Sequence, residues 1–248
     1  MDALLGVAEL TKHFDSVKAA DELTLQVNAG EIVGVVGPNG SGKTTFLNLV
    51  TGYIKPGRGS IAYRGRDITG LHPRAITALG IARSFQIPQL YLNASILENV
   101  LIALAIRSGQ GWELWRPLRT DSRVEQARQV LGQFGFREGL DRPVTTLPEG
   151  GRKLLDVALS FALEPDLLLL DEPTSGVSIS DKFSVMDTLI GVVRETATTT
   201  LFVEHDMDVV QRYAQRVLVF SEGRIIADVA PEGLFAEPAV RQHILGDL

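Results

Sequence analysis

This 248-residue chain has no cysteine. That excludes disulfides and thiolate metal sites, and a reducing compartment fits the composition. No uninterrupted apolar run approaches the ~18 residues that a membrane-spanning helix requires. Met1-Asp2-Ala3-Leu4-Leu5-Gly6 carries an early acid and no basic stretch, so no signal peptide is expected. Positive charge is scarce as well. Lys and Arg number 24 against 30 Asp and Glu, giving a net charge of −6, and no broad nucleic-acid footprint is expected. Internal repeats, low-complexity tracts and an evident linker are all missing. With 45% hydrophobic and 22% charged residues, the chain has the composition of a globular protein with one or two domains.

What is present is concentrated in Gly37-Pro38-Asn39-Gly40-Ser41-Gly42-Lys43-Thr44. This stretch fits G-x-x-x-x-G-K-[ST], the phosphate-binding P-loop. Its glycines permit a tight turn whose N–H groups can point at phosphate oxygens. Lys43 offers a flexible cation for the β- and γ-phosphates, and Thr44 a hydroxyl for Mg²⁺. The flanks agree. Glu31 to Val36 reads as a buried strand, and Thr45 opens a helix whose N-terminus faces the anion. Gly37, Asn39, Gly40, Ser41, Gly42, Lys43, Thr44 and Thr45 are therefore the expected phosphate-side residues.

Elsewhere the chain alternates between two patterns. Residues 7–10, 23–28 and 60–64 read as short strands of an antiparallel opening. Residues 31–36, 166–170 and 199–204 are apolar or β-branched runs suited to a central sheet. Val217 to Ala227 reads as a hairpin turning at Ser221-Glu222-Gly223-Arg224. Between them, Val124, Ala127, Val130, Leu131 and Phe134 fall at helical spacing, as do Leu154, Leu155, Ala158, Leu159 and Ala162. A largely helical lobe is thus expected within an α/β core, with residues 107–120 as a loop inside it.

Leu167-Leu168-Leu169-Leu170-Asp171-Glu172 is an apolar strand ending in two acids. At the carboxyl edge of a buried strand, Asp171 can hold Mg²⁺ and Glu172 can polarise a water. The alternative is two acids that merely end the strand and cap the next segment. His205 comes after Thr200-Leu201-Phe202-Val203-Glu204, where an imidazole could sense a γ-phosphate or simply sit at the surface. Gln86, after Ile81-Ala82-Arg83-Ser84-Phe85, could reach Mg²⁺ and the lytic water.

In this order the elements resemble the nucleotide-binding subunit of ATP-binding cassette transporters over nearly the whole chain. The resemblance implies an α/β fold: a P-loop ATPase core with a mixed sheet, an antiparallel β subdomain and an inserted α-helical subdomain. It implies one cassette domain over 1–248, with a core lobe at about 1–89 and 162–248 and a helical lobe at about 90–161. ATP and Mg²⁺ are the implied cofactors. Phe14 sits where the family stacks an aromatic on adenine, with an ordinary core phenylalanine as the alternative. Gln86 matches the Q-loop, Asp171 the magnesium-binding position, Glu172 the catalytic acid and His205 the switch histidine. Ile81 to Gln86, Leu97-Glu98-Asn99-Val100 and Val203 to Met207 are most similar to importers of branched-chain amino acids and related amides. Such a subunit works on the inner face of the cell membrane, with membrane-spanning permease subunits and a second cassette. Alternatives are a soluble non-transport cassette ATPase, an exporter, or a regulatory subunit with weak turnover.

The family signature, usually Leu-Ser-Gly-Gly-Gln, aligns with Leu147-Pro148-Glu149-Gly150-Gly151, and the resemblance implies that this segment acts in trans on a partner's nucleotide. Pro148 lacks both a hydroxyl and an N–H, and Glu149 brings negative charge. Either this branch tolerates the divergence, or the chain is half of an asymmetric heterodimer whose weakened site lies on the partner's P-loop. Proline in a first turn is expected to leave the helix start intact. Ser175-Gly176-Val177-Ser178 also departs, with serine where an aspartate usually stands.

Overall fold

The computed structural model describes residues 3–108, 117–234 and 240. Alternating buried and exposed positions build β1 (Leu5–Phe14) and β2 (Val17–Val27) as an antiparallel ribbon. The fully buried run of β3 (Ile32–Val36) then leads through the P-loop into α1 (Lys43–Val50). β4 (Arg58–Tyr63) and β5 (Arg66–Asp67) return to the first sheet, whose order is β2-β1-β4-β5. α2 (Pro73–Ala78) precedes β6 (Ile81–Arg83). Three helices come next: α3 (Ile96–Arg107), α4 (Asp121–Gln133) and α5 (Glu149–Phe161). The chain then returns to the sheet with β7 (Leu167–Asp171), α6 (Ile179–Thr196), β8 (Thr199–Val203) and α7 (Met207–Tyr213). It closes the hairpin β9 (Arg216–Ser221) and β10 (Arg224–Val229).

The second sheet has six strands in the order β10-β9-β3-β8-β7-β6. All neighbours are parallel except β9 and β10. Its period-2 geometry splits the leucines of β7. Leu167 and Leu169 enter a core shared with α1 and the first sheet, whereas Leu168 and Leu170 enter a core shared with α5, α6 and α7. Covering both faces is what allows uninterrupted apolar strands here. A third cluster joins α3, α4 and α5 through residues such as Val100, Leu131 and Leu155.

This topology places the site. The carboxyl ends of β3, β8, β7 and β6, four adjacent parallel strands, lead to the P-loop, His205, Asp171-Glu172 and Gln86 in turn.

The strands and the hairpin expected from sequence are all present, with longer limits for β1 and β2. β5, β6, α2, α6 and α7 carry no such expectation. α3 starts on a capping box in which Ser95 and Glu98 exchange side-chain and backbone bonds. Part of the expected loop, residues 109–116, lies outside the described residues, while Arg107 ends α3 and Thr120 caps α4. Pro148 stands at the N-cap of α5 and not in its first turn. Among the described residues, no helix is long and apolar enough to cross a membrane.

Candidate functional site

The P-loop is a cradle only glycine can form. Gly37 has φ +149 and a Cβ there would lie 2.2 Å from the Phe220 carbonyl oxygen. Gly42 has φ +104 and a Cβ would lie 2.4 Å from the Ala19 carbonyl oxygen. Both positions are therefore closed to any side chain on backbone and contact grounds. The hairpin turn supports the loop from below, with Gly223 N–H donating to Ser41 O at 3.0 Å. Asn39 and Gly40 are exposed at the tip, Ser41 is buried, Thr44 is exposed and Thr45 half-buried. α1 carries no acid in its first turn, as suits an anion at its N-terminus.

Lys43 is 5% exposed and folds over this cradle. Its Nζ donates to the carbonyls of Gly37 at 2.7 Å and Pro38 at 2.9 Å. Burial pushes its ammonium below the ordinary lysine range, against the pull of the Glu172 and Asp171 charges. Phosphate oxygens at this place would exchange neutral acceptors for anionic ones, which a desolvated cation favours. The cradle and its lysine thus fit a nucleotide phosphate chain.

At the neighbouring strand end, Asp171 is buried while the chain turns sharply at Glu172, whose φ is +49. A non-glycine residue pays about 1–3 kcal/mol for such a conformation, so surrounding structure must hold it. Three contacts do so. Glu172 N–H donates to Val203 O at 3.1 Å, Gln86 Nε2 donates to Glu172 Oε2 at 2.8 Å, and His205 Nε2 lies 2.8 Å from Glu172 Oε1. Residues 86, 172 and 205, far apart in sequence, thus meet on one carboxylate.

Several participants carry no motif in the sequence. Arg83 pairs with Asp171 Oδ2 at 2.7 Å and with Asn48 Oδ1 at 2.6 Å, tying β6 to β7 and α1. Its guanidinium also lies over the Phe85 ring. Glu204 is buried and accepts from the Thr174 amide at 2.9 Å, the Thr174 hydroxyl at 2.8 Å and the His205 amide at 3.3 Å. Burial pushes its carboxyl up, against those hydrogen bonds. On α5, Lys153 and Asp156 are buried against the segment around Gln86. Burial raises the Asp156 carboxyl to about 6, opposed by the amides of Gln89 and Phe85 and by Lys153. Charged residues inside the otherwise apolar stretches 81–85 and 153–162 were the available signal.

Phe14 lies at the β1–β2 tip, paired with Val17, and is 44% exposed, so it is not a core residue. Lys12 Nζ lies 5.3 Å from its ring centroid. Leu147 is half-buried, Pro148 and Glu149 are exposed, and Gly150 and Gly151 are half-buried. No side chain caps the start of α5, and Glu149 faces Arg152 and Gly176. Among the described residues, no cluster of three or more His, Cys, Asp or Glu is arranged to hold a metal. Thr44 and the Asp171 oxygen not held by Arg83 are hard donors, and suit a cation that takes most of its ligands from phosphate and water.

The family pattern described as ABC transporter matches residues 20–175. Among relatives, the probable branched-chain amino acid transport ATP-binding protein LivG of Archaeoglobus fulgidus is 34% identical, over 98% of this chain and 95% of its own. The high-affinity branched-chain amino acid transport ATP-binding protein LivG of Escherichia coli K12 is 32% identical over 98% of both chains. Among solved structures, the ADP conformation of MJ1267, an ATP-binding cassette of an ABC transporter, superposes with a TM-score of 0.87. It is 28% identical, covering 99% of this chain and 100% of that one. Sequence, fold and the assembled phosphate cradle agree: the chain belongs to the ABC transporter family, as one of its ATP-binding cassettes.

Proposed function

We propose that this cassette hydrolyses ATP to power a membrane importer of branched-chain amino acids or related small solutes. The observation that carries the hydrolytic reading is the meeting of Gln86 and His205 on Glu172, beside the P-loop. Full-length relatives named for branched-chain amino acid transport support the cargo class. In this reading the P-loop amides and Lys43 bind the β- and γ-phosphates. Glu172 polarises the attacking water, Gln86 orients it, and His205 contacts the γ-phosphate and steadies the Glu172 carboxylate. Mg²⁺, held by Thr44, Asp171 and Gln86, would neutralise charge on the transferring phosphoryl group. Arg83 fixes the rotamer of Asp171 for that task.

Two further assignments complete the reading. Phe14, exposed at the hairpin tip, stacks on adenine. Leu147 to Gly151 faces the nucleotide of a second cassette, and residues 90–161 form the lobe that carries it. The cassette docks on the inner face of the membrane against permease subunits.

Equilibrium binding and single-turnover hydrolysis by the full chain test this. Glu172→Gln keeps size and hydrogen bonding, so MgATP binding is retained while hydrolysis falls by about 10²–10³. Phe14→Ala weakens binding by about 1–3 kcal/mol without changing the melting temperature. Unchanged hydrolysis in Glu172→Gln rejects the assignment of the acid. A fall in melting temperature with unchanged affinity rejects the stacking role.

A further inference from the structure

Two buried charges on α5 are given no part in binding or hydrolysing the nucleotide in the reading above. Lys153 and Asp156 are 3% and 5% exposed and lie one turn apart on one face of the helix. Lys153 Nζ donates to the backbone carbonyl of Gln86, and to that of Glu172 at 3.2 Å. Asp156 takes the opposite role: Oδ2 accepts the Phe85 amide at 3.2 Å and Oδ1 the Gln89 amide at 2.9 Å. The hydrogen bonds of both side chains go to main chain.

Packing alone does not call for this arrangement. Apolar residues of similar volume hold a helix to a core at lower desolvation cost than a lysine and an aspartate. What the two charges add is direction. Lys153 bonds the backbone of Gln86 and Glu172, whose side chains meet at 2.8 Å, and Asp156 bonds the amides that flank Gln86. A closed circuit results: α5 to the Gln86 backbone, along its side chain to the Glu172 carboxylate, and back through the Glu172 carbonyl to α5. The same helix begins at Glu149, so the last three residues of the signature segment and the clamp lie on one helix, about a turn apart.

We propose that Lys153 is a positioning residue, supported by Asp156, that locks Gln86 and Glu172 to the signature helix. Displacement of Leu147–Gly151 by a partner's nucleotide is thereby delivered to this chain's own water-polarising acid. The inference rests on Glu172 having that role. It adds that the two ATP sites of a dimer communicate through α5 within each chain.

The test uses Lys153→Met, which keeps the stem and removes the ammonium, and Asp156→Asn, which keeps the shape and removes the charge. Hydrogen exchange is followed in the full chain, free and with a non-hydrolysable MgATP analogue. Lys153→Met should speed exchange in residues 84–90 and 172–176 by about tenfold, as expected for a lost charge-assisted hydrogen bond. Asp156→Asn should do so in 84–90 alone. Single-turnover kinetics should then show a lower rate constant for Lys153→Met at unchanged half-saturation by MgATP, a split that general destabilisation does not produce. Exchange that is unmoved, or that rises evenly over the whole chain, overturns the proposal. So does an unchanged rate constant in Lys153→Met while Glu172→Gln remains slow. If Glu172→Gln is itself fast, the reading of the acid fails, and the exchange pattern still reports on the clamp. Should Lys153→Met not fold, Asp156→Asn carries the same test on residues 84–90.

Discussion

The P-loop and the signature segment are both glycine-bearing turns leading into a helix, yet they are built on different physics. At Gly37 and Gly42 the backbone is left-handed or close-packed, and the carbonyls of Phe220 and Ala19 stand where a Cβ would go. The loop is finished within this chain. At Leu147 to Gly151 no residue has a left-handed φ, and a Cβ on Gly150 or Gly151 would meet side chains only, at 3.1 Å or more. Pro148 and Glu149 are exposed and no side chain caps the helix. The first glycines are demanded by what is already there. The second pair meets no backbone at such close range. Divergence is accordingly tolerated at the signature without loss of fold, and is not tolerated at the P-loop.

The sharpest way to break this contrast is Gly42→Ala. A Cβ at φ +104, 2.4 Å from a backbone oxygen, cannot be relieved by a side-chain rotation. We expect a loss of more than about 3 kcal/mol in denaturant unfolding, or loss of nucleotide binding if the loop rearranges instead. Normal stability together with normal affinity would show that the cradle is not closed as described.

An intermediate effect is expected inside the signature helix. The Asp156 carboxyl titrates at about 6 in the fold against an ordinary 3.8. Between those values the folded chain holds a proton that the unfolded chain has released. Wild type should therefore gain stability relative to Asp156→Asn as pH falls from 7 to 4, by on the order of 2 kcal/mol, and lose it again as pH rises through 6. Denaturant midpoints of both proteins across that range measure it. A constant difference would mean that Lys153 and the amides fully offset burial, and a reversed sign that they outweigh it.

Pro148→Ser should have the smallest effect. A serine there can cap α5, worth about 1 kcal/mol, while losing the proline frees the unfolded chain by about 0.4–1 kcal/mol. The melting temperature should hardly move. Any rise in ATPase activity of an assembled transporter would then report on the partner's nucleotide. A substantial loss of stability would make Pro148 a structural residue and erase the contrast with Gly42.

The chain order alone marks out the P-loop, the acid pair after an apolar strand, and the central strands. Each of these depends on residues within a few positions of one another: glycine freedom, a run of leucines, alternation of period 2. Even the capping box at Ser95 and Glu98 is written locally. Tertiary structure decided the rest. That Gln86, Glu172 and His205 meet is a consequence of β6, β7 and β8 being adjacent and parallel, which no short segment encodes. That Phe14 lies outside the core is set by the position of its hairpin, since a phenylalanine in a strand suits either place. Arg83, Lys153, Asp156 and Glu204 stand out in the sequence only as charges among apolar neighbours, and such a charge becomes informative once it is known to be buried. Desolvation then obliges each to find a partner, and the partner is supplied by a segment far away along the chain.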